Sequence, residues 1–226
     1  TVATSVYKNL SYSFEKDFQP ITTVALVPNV LTVKAGSPYA SVAELVAAAR
    51  VKPDGLSYGS NGNGTAQHMI GTQFQLETGS KLLHVPYKGS APLTTDLLGG
   101  QVDLLITSTA ATASFIQSGK MRALAVTSPR RMGVFTKVPT LEELGLRNMT
   151  FEDWYGFFAP AGTPPERVAY LHDSIVRALK LPEVIKGIND GGSEVVGNTS
   201  AAFASRMAED IARWSRVVKL SGAKVD

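Results

Sequence analysis

Glycines alternate with amide and hydroxyl side chains in one stretch of the chain, from Leu56 to Thr65, with the sequence Leu-Ser-Tyr-Gly-Ser-Asn-Gly-Asn-Gly-Thr. A short strand pattern leads into it, and a helix pattern from Ala66 to Glu77 follows. Glycine lets the backbone approach a bound group closely, and a helix start offers unpaired N–H groups at the positive end of its dipole. With neutral amide and hydroxyl side chains around it, the stretch predicts an anion site, and we interpret the anion as a carboxylate.

The spacing of the glycines argues against two nucleotide-binding motifs. A P-loop requires Gly-Lys-Ser or Gly-Lys-Thr after its glycines, and neither follows here. In a Gly-x-Gly-x-x-Gly motif beginning with Gly62 and Gly64, the third glycine is replaced by Gln67. The alternative to an anion site is a tight structural turn that binds nothing.

The chain has three histidines, and they do not form a recognisable catalytic or metal motif. No two of His68, His84 and His172 have the spacing of metal ligands, and no Gly-x-Ser-x-Gly sequence is present. We therefore expect no metal, no cofactor and no catalytic residue. His68 lies one turn into the predicted helix, where it either lines the site or packs beneath it. A hydrolase or isomerase that uses His68 with a nearby hydroxyl stays as an alternative.

The elements that position the loop alternate between helix and strand from residue 41 to residue 128, which predicts a mostly parallel sheet in an α/β protein. Ligands of such sheets bind outside the carboxyl ends of the strands. Three predicted strands end in small polar residues, at Ser60 to Thr65, Tyr87 to Ser90 and Thr107 to Thr109. We expect these three exits to cluster on one edge of the sheet.

Helices dominate after Phe151, which predicts a second lobe that also takes up the first residues of the chain. We expect crossings near Val33–Ser37 and Asp153–Gly156, and hence a two-segment hinge. The predicted lobes are residues 1–35 with 153–226 (lobe I) and residues 36–152 (lobe II).

Three local patterns in the chain give further expectations. Ile21 to Val33 is rich in β-formers but contains Pro28, so it predicts two short strands or one bent strand. Val138 to Gly145 predicts a short capped helix. Trp214 belongs to an amphipathic stripe at helical spacing, and packing is the preferred interpretation over a ligand platform.

Composition excludes several classes of protein. The 226 residues are 44% hydrophobic and 18% charged, as in a globular protein, and the net charge is +3. The longest basic cluster is Arg130-Arg131, so we expect no nucleic-acid partner. Cysteine is absent, which excludes disulfides and thiol chemistry. No apolar run approaches the roughly 18 residues of a membrane span, so we expect no membrane insertion. The first residues predict a removed signal peptide or a fragment.

Several motifs in order resemble one family. They are Ser-Asn-Gly-Asn-Gly-Thr at 60–65, His-Val-Pro-Tyr-Lys-Gly at 84–89, Asp-Leu-Leu-Gly-Gly-Gln-Val-Asp at 96–103, and Gly-Lys-Met-Arg-Ala-Leu-Ala-Val-Thr-Ser at 119–128. Phe-Phe-Ala-Pro-Ala-Gly-Thr-Pro at 157–164 and the segment from Arg213 to Gly222 continue the likeness. Together they resemble the substrate-binding receptors of tripartite tricarboxylate transporters, the Bordetella uptake gene family, without their N-terminal segment.

The resemblance implies a bilobal, type II periplasmic-binding-protein-like fold with two mostly parallel sheets. It also implies a periplasmic, monomeric receptor, not an enzyme, that closes its two lobes on a small mono-, di- or tricarboxylate. The receptor would pass this organic acid to a membrane permease of one large and one small subunit. A sensor or effector domain of the same fold is the alternative.

The resemblance also implies the ligand contacts and one specificity. The expected ligand-binding residues are those of the three polar exits together with His68. They are Ser60, Asn61, Gly62, Asn63, Gly64, Thr65, His68, Tyr87, Lys88, Gly89, Ser90, Thr107, Ser108 and Thr109. Thr107 stands where the family often has an aspartate able to receive an amino group, so we expect a mono- or dicarboxylate rather than an amino acid.

Overall fold

The computed structural model describes Thr4 and residues 10–221, and the chain divides into two compact units. Unit 1 comprises Thr1–Val27 and Trp154–Asp226, and unit 2 comprises Pro28–Asp153. The chain therefore passes between the units twice, at Val27/Pro28 and at Asp153/Trp154. The sequence patterns predict a later first crossing, near Val33–Ser37, and a second one near Asp153–Gly156.

The described helices and strands follow one another along the chain with short connections. In order they are α1 (Phe14–Asp17), β1 (Phe18–Lys34), α2 (Val42–Val51), β2 (Ser57–Ser60), α3 (Ala66–Thr78), β3 (Leu83–Pro86), α4 (Ser90–Gly99), β4 (Leu104–Ser108), α5 (Thr109–Gln117), β5 (Met121–Val126), β6 (Glu152–Pro160), α6 (Pro165–Leu179), α7 (Pro182–Asp190), β7 (Glu194–Val195) and α8 (Ser200–Ser221), with a 3-10 turn at Gly133–Phe135.

The sheet of unit 2 has the strand order β3-β2-β4-β1-β5. Strand β2 runs parallel to β3 and β4, whereas β1 runs antiparallel to both of its neighbours, β4 and β5. Strands β2, β3, β4 and β5 therefore share one direction, which confirms the expected mostly parallel sheet, and β1 is inserted against them. Leu104, Leu105 and Ile106 of β4 are fully buried, as expected for a strand covered on both faces.

Strand β1 is a single strand of 17 residues that belongs to both units. It pairs with β7 at Ala25 and Leu26 and with β4 from Asn29 onward. Pro28 falls between these two ladders, so its missing N–H interrupts neither of them. The proline therefore marks the crossing between the units instead of splitting the segment into two strands.

In unit 1, β1 pairs with β6 and β7, and helix α8 packs on this sheet. The Phe203 ring of α8 contacts Trp154 and Phe158 of β6, with ring centroids 4.9 and 4.8 Å away. Gly156 permits this contact, because a Cβ there would lie 2.3 Å from Phe203 Cζ. Trp214 of α8 is buried, in agreement with its interpretation as a packing residue.

The predicted short helix at Val138 to Gly145 is wrong, because these residues form a bridge and turns. The capping pair does form: Glu143 N–H donates to Thr140 Oγ1, and Thr140 N–H donates to Glu143 Oε2. However, Thr140 also bridges β5 at Val126, where the Leu141 N–H donates to the Val126 carbonyl. This extended pairing replaces the helical continuation of the capped turn.

Among residues 10–221, no helix combines the length and the apolar character needed to span a membrane.

Candidate functional site

Three strand-to-helix connections of unit 2 lie on one edge of its sheet. Strands β2, β3 and β4 are parallel neighbours, and each is followed by a helix, α3, α4 and α5 respectively. Their carboxyl ends, and hence the amino-terminal turns of the three helices, therefore meet at the same edge. The expected clustering of the three polar exits is what this topology produces.

Asn61 joins the three connections through its side-chain oxygen. Ser90 Oγ, after β3, and Thr107 Oγ1, at the end of β4, each donate a hydrogen bond of 3.3 Å to Asn61 Oδ1. The backbone adds a link, because the Tyr87 N–H donates to the Ser60 carbonyl at 3.0 Å. Since two hydroxyl donors fix the amide oxygen, the Nδ2 group of Asn61 is left as a donor on the other side of the amide.

The glycine-rich loop satisfies part of its own hydrogen-bonding capacity. Gly62 and Gly64 have φ angles of +130° and +71°, which glycine adopts without strain. The Gly62 N–H donates to Ser60 Oγ at 3.2 Å, and the Gly64 N–H donates to His68 Nδ1 at 3.2 Å. Thr65 caps α3 by accepting the His68 N–H and donates to the Gly62 carbonyl at 2.8 Å. Both glycine N–H groups are thus satisfied by side chains of the loop and of α3.

The donors that remain at this edge come from the helix starts and from Asn61. The N–H groups of Ala66 and Gln67, in the first turn of α3, have no partner within a helix. Gly89 and Ser108, which precede α4 and α5, make no side-chain capping bond. Asn63 and Lys88 are exposed, and Lys88 is the one lysine or arginine within the three connections. The edge is therefore rich in donors and nearly free of charge.

Two of the expected site hydroxyls are engaged elsewhere. The Tyr87 hydroxyl donates to Asp96 Oδ2 at 2.8 Å, and burial together with this carboxylate raises the pKa of Tyr87 to about 12. The Thr109 hydroxyl is buried and donates to the Pro28 carbonyl at 3.0 Å. These two hydrogen bonds hold α4 and α5 in place. Ser108, the last residue of β4, is half-buried.

A pair of stacked histidines lies beneath the loop. The rings of His68 and His84 are 4.1 Å apart and 4° from parallel, and Tyr58 stacks on the other face of the pair at 4.8 Å from His84. Burial lowers the pKa of His68. Burial, and to a smaller extent the nearby His68, lowers the pKa of His84 to about 4. Burial also raises the pKa of Tyr58.

The histidine pair does not form a hydrolytic site. His84 Nε2 lies 2.7 Å from Ser60 Oγ, the spacing of a nucleophile and its base. Ser60 is fully buried, however, and within residues 10–221 no carboxylate hydrogen-bonds to His84. The His68 ring bonds to the Gly64 N–H and to no hydroxyl, contrary to the hydrolase alternative. The same residues contain no group of three potential metal ligands.

Sequence reasoning missed a polar network that holds the start of α3. Gln67 Nε2 donates to Asn29 Oδ1 and to Asp153 Oδ2, both at 2.9 Å, and Asn29 Nδ2 donates to the same carboxylate oxygen at 3.1 Å. The partners lie 38 and 86 residues from Gln67 in the chain, so no local spacing could reveal them.

Comparison with known proteins places the chain among transport receptors. The family model described as tripartite tricarboxylate transporter family receptor matches residues 1–223. Protein BugT of Bordetella pertussis (strain Tohama I) is 34% identical over 99% of this chain and 69% of its own length. A protein from the tcbD-tcbE intergenic region of Pseudomonas sp. (strain P51) is 34% identical over 94% of this chain and 63% of its own length. The chain thus spans about two thirds of these relatives.

Solved structures show the same fold. A structure described as a periplasmic transporter has a TM-score of 0.92 and 38% identity, covering 100% of this chain and 77% of its own. An R. palustris protein solved with adipate has a TM-score of 0.90 and 34% identity, and the match covers 97% of this chain and 74% of that protein's chain. MatC from Rhodopseudomonas palustris, with bound malate, has a TM-score of 0.85 and 27% identity, covering 96% and 75%.

These likenesses confirm the expected periplasmic-binding-protein fold. They also agree with the expectation of a receptor instead of an enzyme, because the family is one of solute-binding receptors. The chain therefore belongs to the receptor family of the tripartite tricarboxylate transporters.

Proposed function

We propose that this protein is a periplasmic receptor that binds a small carboxylate at the three strand exits of unit 2. The two hydrogen bonds that Asn61 Oδ1 accepts from Ser90 and Thr107 carry the proposal, because they connect all three exits through one side chain. In this arrangement the carboxylate accepts hydrogen bonds from Asn61 Nδ2 and from first-turn N–H groups of α3, α4 and α5.

The free energy available from such contacts is sufficient for a receptor. A hydrogen bond to a charged group contributes roughly 1.5–3 kcal/mol, and a helix start adds up to about 2 kcal/mol in a partly buried geometry. Three or four such contacts approach the roughly 8 kcal/mol of a micromolar complex. A neutral, donor-rich edge therefore suffices to hold one carboxylate without a direct ion pair.

The proposed solute is a mono- or dicarboxylate. Two relatives of the same fold were solved with adipate and with malate, both of which are dicarboxylates. Thr107 is neutral and its hydroxyl is bound to Asn61, so the end of β4 offers no anionic partner for an amino group. Lys88 is exposed beside the exits and is available to a second carboxylate.

The proposed partner is the membrane permease of a tripartite tricarboxylate transporter, to which the receptor delivers its solute from the periplasm. The family description supports this role, and the structures that resemble the chain include a periplasmic transporter protein.

Calorimetric titration of the full-length protein tests the binding proposal. The panel comprises adipate, malate, citrate and aspartate, and we expect binding of adipate or malate and none of aspartate. An Asn61→Asp variant keeps an acceptor for Ser90 and Thr107 but replaces the Nδ2 donor with a negative oxygen. Two like charges about 4 Å apart repel by roughly 4 kcal/mol near a protein surface, so affinity should fall at least about 100-fold.

The matched control is Asn148→Asp, which adds the same charge at an exposed position with a φ of 57° that aspartate tolerates. It should leave the affinity within about twofold. Asn148 Nδ2 donates to Glu77 Oε1, and Glu77 lies about 16 Å along α3 from Ala66. Exposed charges are screened beyond a Debye length of about 8 Å. Undiminished adipate or malate binding by the Asn61→Asp variant would show that the carboxylate is held elsewhere.

A further inference from the structure

His68 competes for a donor of the glycine-rich loop. A backbone N–H can only donate, so the 3.2 Å contact between Gly64 N–H and His68 Nδ1 makes Nδ1 the acceptor. The neutral ring then carries its proton on Nε2. The tautomer of His68 therefore follows from the backbone, and one of the loop's N–H groups is withheld from any ligand while His68 is neutral.

We propose that this loop binds a carboxylate together with one proton, which His68 takes up from solvent at Nδ1. This inference rests on the proposed carboxylate-binding function. A proton on Nδ1 turns the acceptor into a donor, so the bond from Gly64 breaks and the Gly64 N–H is released toward the anion. The same proton places a positive charge in the first turn of α3, beside the bound carboxylate.

The surroundings of His68 couple protonation of its ring to the binding of an anion. The ring belongs to the third residue of α3, counted from Ala66, where the helix dipole is positive. A cation there is unfavourable unless an anion occupies the helix start. Burial already lowers the pKa of His68, which favours the neutral ring in the unliganded protein. A carboxylate within about 4–6 Å raises such a pKa by roughly 1–3 units.

The groups around the ring favour a single proton. His84 of β3 faces His68 at 4.1 Å, and a second imidazolium at that distance would repel the first. His84 in turn contacts Tyr58 of β2 and Ser60 Oγ. Asp153, the carboxylate linked to α3, is held by Gln67 on the same helix and by Asn29 of β1. Lys88, in the turn after β3, is exposed.

Titration calorimetry of the full-length protein measures the coupling. Adipate and malate are titrated at pH 7, where simple carboxylic acids are ionised, in MOPS and in Tris, which differ in ionisation enthalpy and contain no phosphate or carboxylate to compete for the loop. The dependence of the observed heat on the buffer gives the number of protons taken up. Since a bound carboxylate raises the pKa of His68 by roughly 1–3 units from its lowered value, we expect an uptake of up to about 1 proton per bound molecule. The affinity should fall by up to about tenfold per pH unit until the pH passes the raised pKa.

Two variants identify the group that takes the proton. His68→Asn keeps an amide oxygen near the position of Nδ1 to accept the Gly64 N–H, but it cannot be protonated, so the buffer dependence should disappear while adipate or malate still binds. His172→Asn removes the histidine of unit 1, which contacts Asp173 and the Asn198 carbonyl, and should leave the proton uptake unchanged.

Three outcomes overturn the inference. Binding without buffer dependence in the unmodified protein refutes the coupling and leaves the proposed function intact. Proton uptake that persists in His68→Asn assigns it to another group. Absence of heat with every acid in both buffers refutes the proposed function, and the coupling with it.

Discussion

Replacing Gln67 with methionine tests whether the start of α3 must be held in place for binding. Gln67 is buried, and its Nε2 group donates to Asn29 Oδ1 and Asp153 Oδ2, both at 2.9 Å. Methionine has a similar volume and fills the same space, so the change removes the two bonds with little cavity. Asp153 Oδ2 keeps the bond from Asn29 Nδ2, whereas Asn29 Oδ1 loses its donor.

The cost follows from the kinds of bond that are lost. The bond to the carboxylate contributes roughly 1.5–3 kcal/mol and the bond to the amide oxygen roughly 0.5–1.5 kcal/mol. We therefore expect the free energy of unfolding to fall by about 2–4 kcal/mol. Because Gln67 follows Ala66 at the start of α3, loss of its anchors also lets the first turn move, and adipate or malate should bind about tenfold more weakly, equivalent to about 1.4 kcal/mol.

Gln75→Met is the matched control on the same helix. Gln75 Nε2 donates to the Gly71 carbonyl at 3.3 Å, and Gln75 Oε1 accepts the Leu82 N–H at 2.8 Å, near the end of α3 that lies away from the loop. Loss of these neutral bonds should cost about 1–3 kcal/mol of stability and leave the affinity within about twofold. Urea unfolding and calorimetry measure both quantities. Equal loss of affinity in the two variants would refute the reasoning, since helix stability alone would then account for it.

Three further predictions concern stability. As pH falls from 6.5 to about 4, unfolded His84 binds a proton that the folded chain does not, so His84 should lower the free energy of unfolding by less than about 3 kcal/mol, since solvent screens its half-buried ring. In pH-dependent urea unfolding, His84→Gln should remove this contribution and leave the one that the lowered pKa of His68 makes in the same direction. Thr32→Val replaces a buried hydroxyl that makes no hydrogen bond among the described residues, so the free energy of unfolding should rise by about 1 kcal/mol. Thr127→Val breaks bonds to Asn29 and Phe151 and should lower the free energy of unfolding by about 1–3 kcal/mol. Destabilisation by Thr32→Val would contradict this. Gly71→Ala brings a Cβ within 2.3 Å of the Tyr58 ring and should lower the free energy of unfolding by about 1–3 kcal/mol. The Cβ of Gly187→Ala in α7 meets no atom within 4 Å, and this variant should gain about 0.5–1 kcal/mol of stability. Equal thermal midpoints of the two variants would argue against both predictions.

The sequence was sufficient where the structure depends on local patterns. The glycine-rich turn and the helix that follows it depend on residues next to one another, and the alternation of helix and strand predicted the parallel strands and the common edge of their exits. The Pro28 segment and the helix expected at Val138 to Gly145 depended on distant partners instead. Pro28 lies between two ladders, and Thr140 bridges β5, which local patterns do not reveal.

The clustering of the three polar exits on one edge was predictable, whereas the directions of their hydroxyls were not. The direction of each hydroxyl depends on partners elsewhere in the fold. Tyr87 donates to Asp96 and Thr109 donates to Pro28, so two expected ligand hydroxyls hold helices instead. The stacking of His68 on His84 requires β3 to lie beside β2, and the chain separates the two histidines by a helix and a turn.

A crystal structure of the full-length protein with adipate or malate would show whether the strand exits around Asn61 hold a carboxylate. We predict one carboxylate oxygen at about 2.7–3.2 Å from Asn61 Nδ2, with further oxygen contacts to first-turn N–H groups of α3, α4 or α5. A carboxylate bound with Asn61 Nδ2 and all three helix starts out of hydrogen-bond reach would contradict it.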